Sequence, residues 1–305
     1  LILFTLVPIF ISQKYHEDFG YYHLPYASLL FNEKIIFGIA NTNIAYVYNS
    51  IWLNIYSSFF IFNNNFNFLT LSTFILYVVF ISYLINLFFK DKNWKLSKLF
   101  LSLLVFYFVL KFTRISEYGL DLPTTIYANI SILYFIKFFE TDDLIKKKSF
   151  FYLNFVFAIF AILIKFSIIP ILFLTIIMFL SNFDHLKKEI FLKKYLFIIS
   201  LFSLFVIQQF IYTGCIVFPS EFSCMNVSWF NEEFLTLKDK LELINKSYDQ
   251  AKLLISKEEF LNNFNWFKFW ISRNYVEILE HLFTMFLPFS IIYLFLRKEK
   301  NKIYK

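Results

Sequence analysis

From Phe68 to Phe89 the chain runs without a single charged residue and without polar and apolar side chains alternating. About 20 apolar residues in a helix match a hydrocarbon core of about 30 Å. In lipid every backbone N–H and C=O needs an internal partner, which leaves helices and closed barrels. A barrel strand would alternate at every second position, and this run does not, so it predicts a helix.

Comparable runs place spans at Phe66–Phe89, Leu96–Phe112, Pro123–Phe139, Phe150–Ile164, Ser167–Ser181, Tyr195–Thr213 and Tyr275–Leu296. The expected fold is therefore all-α, a polytopic transmembrane helical bundle with interfacial helices in its outer loops. Composition agrees: 59% of residues are apolar or aromatic, 17% are charged, and the mean hydropathy is +0.60, which excludes an ordinary soluble globule. With 47 Phe and 20 Tyr against 4 Gly and 6 Pro, collagen-like and disordered classes are excluded as well.

The net charge of +7 raises nucleic-acid binding, but only three of the 29 basic residues are Arg, and none form a stripe interleaved with aromatics. No nucleic-acid partner is expected. The charges fit topology instead. The loops 90–98, 137–149 and 182–194 carry four Lys each, and the tail from Arg297 carries five Lys or Arg. The positive-inside rule puts these loops on the cytoplasmic side of the membrane.

The extracytoplasmic side then receives a first loop over 12–65, the loop Lys111–Leu122, the turn at Lys165 and a long loop over 214–274. All four glycines fall on that side. The whole chain, 1–305, reads as a single transmembrane domain. Leu1 to Ile11 is too short to span, so the sequence is expected to begin inside a helix as a fragment of a longer chain. A signal peptide is the weaker alternative, because basic residues before the stretch and a small-residue cleavage site after it are missing.

Ile44–Phe62 is apolar enough to cross, but a crossing there would invert the lysine-rich loops. Tyr46, Tyr48, Trp52 and Tyr56, interspersed with Asn and Ser, fit a helix lying in the interface. Phe150–Ser181 is expected to form a hairpin of two short helices turning near Lys165, because both flanks are Lys-rich and Pro170 interrupts the middle. Asn231–Asn263 shows apolar residues at near-helical spacing among Lys and Glu, predicting one or two amphipathic helices.

Chemistry concentrates just after the first apolar stretch. Between Tyr15 and Tyr26 lie Glu17, Asp18, His16, His23 and four tyrosines. If this segment is helical, Asp18 and Tyr22 share a face at i, i+4. A carboxylate at the water–lipid boundary is partly desolvated and can act as a general base toward a sugar hydroxyl. The alternative is an interfacial loop with solvated acids and anchoring tyrosines. His16 and His23 invite a metal, but their spacing matches no zinc motif. No cofactor is expected, with a divalent metal left open.

The loop after Lys111 holds Arg114, Glu117 and Asp121. Arg114 could hold a phosphate bidentately, and Asp121 either orients a hydroxyl or caps the helix starting near Pro123. Lys165, an ionisable residue close to the membrane interior, is suited to a lipid-linked phosphate, its alternative being snorkelling to the interface. Cys215 and Cys224 lie nine residues apart on the oxidising side, where a disulfide is allowed and two free thiols are the alternative. No P-loop, GxGxxG, GxSxG, HExxH or CxxC is present.

At Glu17-Asp18 and Tyr21-Tyr22-His23-Leu24-Pro25 the sequence resembles multispanning glycosyltransferases of the GT-C superfamily, and more closely a bacterial subgroup sharing a D-x-x-x-Y-H-L-P segment. Arg114-Ile115-Ser116-Glu117-Tyr118-Gly119 with Asp121, Lys165-Phe166-Ser167, and Gly214-Cys215 with Pro219 and Cys224 extend the likeness over four segments. The resemblance implies transfer of a sugar from a polyprenyl-phosphate donor to a saccharide or protein acceptor on the extracytoplasmic side. Asp18 matches the catalytic base and Glu17 the neighbouring acid. Tyr22, His23, Arg114, Glu117, Asp121 and Lys165 stand as the substrate-binding set, with membrane lipids around them. Interfacial aromatics such as Trp52 and Trp270 would frame the donor's lateral entry. The sequence departs from many relatives in lacking a second Asp-x-Asp pair. A transporter or flippase of a lipid-linked saccharide is the alternative function; intramembrane charges are sparse and paired broken helices are missing, which weigh against it.

Overall fold

A computed structural model describes residues 18–61, 69–90, 95–116, 118–188, 193–218, 220–279 and 282. Leu1–Ile11, Glu17, Glu117, Pro219 and most of Tyr275–Leu296 lie outside the described residues. Among those described, the protein is all-α, with no β-strand.

In chain order the helices are α1 (Leu24–Asn32), α2 (Ile51–Ser58), α3 (Leu71–Lys90), α4 (Leu96–Leu110), α5 (Asp121–Phe139), α6 (Leu144–Ile164), α7 (Leu172–Ser181) and α8 (Lys193–Thr213). They are followed by α9 (Glu233–Asn245), α10 (Tyr248–Ala251) and α11 (Lys257–Leu261). Residues 266–279 are helical again. Four of these, α3, α5, α6 and α8, are long and apolar enough to cross a membrane. By contrast α4 has 15 residues, and the run from Phe166 to Ser181 is shorter than a span and opens with a 3-10 stretch containing Pro170.

Helix α5 is apolar on nearly every face, and ten of its residues are buried, so it must be surrounded. It packs against α3 and α4 through Phe80, Leu84, Leu101, Phe108, Ile126 and Leu133. On its other side it packs against α6 and α7, where Ala128, Ala158 and Ala161 let the backbones come close. Polar groups in this interior pair with one another. Asn154 Nδ2 donates to Ser131 O and Oγ, both at 2.9 Å, and Thr175 Oγ1 donates to Asn154 Oδ1 at 2.6 Å. Tyr77 OH donates to Phe108 O at 2.6 Å, satisfying a carbonyl near the end of α4. These bonds tie neighbouring helices where water is missing as a partner.

The helices alternate in direction, so their turns gather at two ends. At the lysine-rich end, Glu140 caps α4 from outside it: its carboxylate accepts Ser97 N at 2.7 Å and Ser97 Oγ at 2.5 Å. Asp143 caps α6 by accepting Ile145 N and Lys146 N, so that helix starts six residues before the expected Phe150 and takes three lysines into its first turns.

The opposite end is built from 18–61, the 3-10 turn Phe112–Ser116, the turn at Lys165 and the chain from Gly214. Within the expected interfacial helix Ile44–Phe62, the described part, 44–61, is not one helix. It breaks into a 3-10 turn Ile44–Val47, α2 and a 3-10 turn Phe59–Ile61, because Ser50 leaves the helical conformation to cap α2 on Trp52 N. Tyr46, Trp52 and Tyr56 are buried inside the protein rather than facing lipid. Trp52 Nε1 and Tyr56 OH both reach Thr73 Oγ1, and Tyr56 OH also donates to Gly119 O at 3.2 Å. Trp52 therefore does not frame a path from the bilayer.

Asn231–Asn263, expected to form one or two amphipathic helices, forms three short ones, α9, α10 and α11. The first part of the 214–274 segment folds back on the loop of residues 18–61. Gly38 N donates to Ile211 O, and Asn41 Nδ2 to Trp229 O, each at 2.9 Å. All described residues with positive φ, Gly38, Gly214, Ser247, Asn263 and Phe264, belong to this end or its long loop.

Candidate functional site

The chain between Asp18 and Leu24 is a π-helical turn, Phe19–His23, that runs straight into α1 with Pro25 in the first turn. Phe19 is buried against Tyr118 from the 112–120 loop, with ring centroids 3.9 Å apart. Ile164, the last residue of α6, belongs to the same apolar cluster as Phe19, Tyr26, Tyr118 and Tyr212. The first loop, the second loop and the α6 turn thus meet around one core.

At the rim of that core stand the ionisable groups. Asp121 is the first residue of α5 and makes no capping bond; the N-cap position is Leu120. Its carboxylate instead accepts the Lys165 ammonium, Nζ to Oδ1 at 2.6 Å. The expectation that Asp121 caps the helix is therefore corrected, and Lys165 is engaged by Asp121 in this structure. The negative charge still sits favourably at the helix N-terminus. Both side chains stay about half exposed, at 47% for Lys165 and 61% for Asp121, so the pair remains accessible from solvent.

Tyr22 is half-buried within electrostatic reach of Asp121. Burial first, then the charges of Asp18 and Asp121 and a smaller effect of Tyr48, hold its phenol well above the usual tyrosine range. Both carboxylates therefore lie within electrostatic reach of one hydroxyl that stays protonated and can donate. His23 is buried, edge-on to Tyr22 with centroids 4.2 Å apart. The arrangement offers an acid that can accept a proton, a neutral phenol and a cation, drawn from Asp18, Tyr22 and Lys165.

Arg114 lies half-buried in the 3-10 turn Phe112–Ser116, its N–H on Lys111 O at 3.1 Å. Glu17 and Glu117 lie outside the described residues. Cys215 and Cys224 form a disulfide at the base of the loop that follows α8. Among the described residues no group of three or more His, Cys, Asp or Glu side chains could hold a metal ion.

Two features were not picked out from the sequence. One is the tyrosine cluster behind Tyr22, with Tyr26 stacked on Tyr46 at 4.7 Å and edge-on to Tyr212 at 6.1 Å. The other is the amide group of Asn49, Asn54 and Gln208. The signal for the second was present: Gln208-Gln209 interrupts an otherwise apolar run, and amides in such a run require partners.

These features define a class: among the described residues, an all-helical protein with four helices of membrane-crossing length and an ionisable cluster at one end of them. The chain belongs to the family described as a domain of unknown function, DUF8201, whose family model matches residues 1–305. No curated protein and no solved structure matches it.

Proposed function

We propose that this protein is a multi-pass glycosyltransferase of the bacterial cytoplasmic membrane, a GT-C-like helical bundle with its Tyr22 end on the extracytoplasmic side. It moves a sugar from a polyprenyl-phosphate donor to a saccharide or protein acceptor. The observation that carries this reading is the gathering of Asp18, Tyr22, Asp121 and Lys165, from three segments distant in sequence, at one end of the long helices.

In this reading Asp18 takes the proton of an acceptor hydroxyl, whose oxygen attacks the anomeric carbon. The bond from that carbon to the phosphate oxygen breaks, and the polyprenyl phosphate leaves with the electron pair. Lys165 has three N–H donors and gives one to Asp121, so others remain to meet the departing phosphate. Arg114 is the second cation for that role. The neutral Tyr22 phenol donates to a sugar or phosphate oxygen.

The test supplies membranes containing the protein with labelled polyprenyl-phosphate sugars and compares wild type with Asp18→Asn at matched expression. Loss of a general base should lower transfer by about 10²–10⁴ while the variant still folds. Equal transfer in both would remove Asp18 as the base. No transfer with any donor, together with movement of the lipid-linked saccharide across vesicles, would replace the reading with a transporter.

A further inference from the structure

Behind the tyrosine cluster, between α1, α2 and α8, lies a cavity of about 230 Å³ that none of Asp18, Tyr22, Asp121 and Lys165 lines. We propose that it is a binding site for a single uncharged, hydroxyl-rich ring, a monosaccharide unit. One wall is leucine and isoleucine from residues 29–39; the other presents Asn54, Ser57, Gln208 and Tyr212. At the mouth stand Glu33 and Lys34, whose opposite charges select neither an anion nor a cation.

Amides and hydroxyls both donate and accept, which matches the vicinal hydroxyls of a sugar, while the apolar wall matches the C–H face of its ring. On the polar side the Ser57 hydroxyl donates to Asn54 O at 2.7 Å, but the amide-to-amide bonds are long. Gln208 Oε1 accepts Asn49 Nδ2 and Asn54 Nδ2 at 3.4 Å each, and Gln208 Nε2 reaches Asn54 Oδ1 at 3.5 Å. A usual N–H···O separation is about 2.9–3.0 Å, so these bonds are weak and a ligand hydroxyl replaces them at little cost. Gln208 Nε2 donates to Tyr212 OH at 2.6 Å, which holds the hub amide in place. The volume suits one ring and not an extended oligosaccharide. The inference concerns binding and does not depend on Asp18 being a base.

The chain's two cysteines form a disulfide, so Lys34→Cys puts one free thiol at the cavity mouth, outside the polar wall. In lipid nanodiscs its rate of reaction with N-ethylmaleimide reports occupancy. Two probe sets are used: free methyl hexopyranosides and pentopyranosides, and diacylglycerol hexosides mixed into the nanodisc lipid. At a ligand level about ten times its dissociation constant, labelling should slow about 10-fold. Slowing by the free glycosides assigns a free saccharide, and slowing only by the glycolipid assigns a lipid headgroup. Gln208→Leu, or the longer and milder Gln208→Met should the first fail to elute as a folded protein, should abolish the slowing. An unchanged rate with both probe sets, or equal protection in the folded Gln208 variant, would overturn the proposal.

Discussion

At Gly38 the backbone takes φ +68°, and a Cβ there would stand 2.8 Å from both Trp229 Cβ and Asn41 Nδ2, and 3.1 Å from Trp229 O. The Trp229 backbone cannot move away freely, because Asn41 and the ring contacts of Trp229 with Phe37 and Phe210 hold it. Gly38→Ala should therefore cost about 1–3 kcal/mol, read as a lower thermal midpoint in detergent or nanodiscs. An unchanged midpoint would mean that the two loops do not pack as described. Tyr22 gives a pH test. Its pKa in the folded protein is raised above the unfolded value of about 10, so its contribution to stability is full below pH 10 and is lost as pH rises toward the folded pKa. Thermal midpoints measured from about pH 8 to 11 should fall at the alkaline end, and Tyr22→Phe should flatten part of that fall. Tyr26, Tyr46, Tyr48 and Tyr56 are raised too, chiefly by burial, and share in the remaining fall. The chemical character of Asp18, Tyr22 and Lys165 was readable from residue type and position. The partner of Lys165 was not, since Asp121 lies 44 residues away and only the α5–α6 packing brings it near.

Helices α5 and α6 form the most extensive pair in the protein, and the Asp121–Lys165 bridge closes them at one end. Exposed pairs of this kind stabilise by about 0–1 kcal/mol. Asp121→Asn should therefore barely shift the thermal midpoint, while sugar transfer drops about 10-fold if Lys165 must be held for the phosphate, a loss equivalent to about 1.4 kcal/mol. A small stability change with full transfer would make the bridge a simple tether. The hairpin turn at Lys165 was legible from Lys165 and Pro170, yet its arms are unequal. Asp143 satisfies two N–H groups at the start of α6, and Lys146, Lys147 and Lys148 join the helix, since long cationic side chains can reach water from a helix end. A hydropathy pattern excludes such lysines and so starts the helix late. For Ile44–Phe62 the pattern erred in the other direction, because Ser50 breaks the apolar run and the aromatics turn inward to Thr73 and Gly119.

Over the whole molecule, the alternating helix directions put the lysine-rich loops at one end and the tyrosine cluster at the other. Single cysteines at Ser149, beside Lys148, and at Lys252, in the long loop, test which way this faces. With a membrane-impermeant maleimide on intact cells, Lys252→Cys should label and Ser149→Cys should label only after the membrane is opened. The reverse pattern would put Asp18 on the cytoplasmic side and end the glycosyltransferase reading. The sequence alone determined the all-helical class and where the long apolar helices lie, because transfer of uninterrupted apolar runs and backbone groups out of water is a local property. It also identified the segments in which polar chemistry collects. Only the tertiary structure decided that Asp121 pairs with Lys165 and lies, like Asp18, within electrostatic reach of Tyr22, that Trp52 and Tyr56 face inward, and that Asn54 and Gln208 share a cavity. Those outcomes depend on which helix faces pack together, and helices apolar on most sides do not encode a unique neighbour in their periodicity.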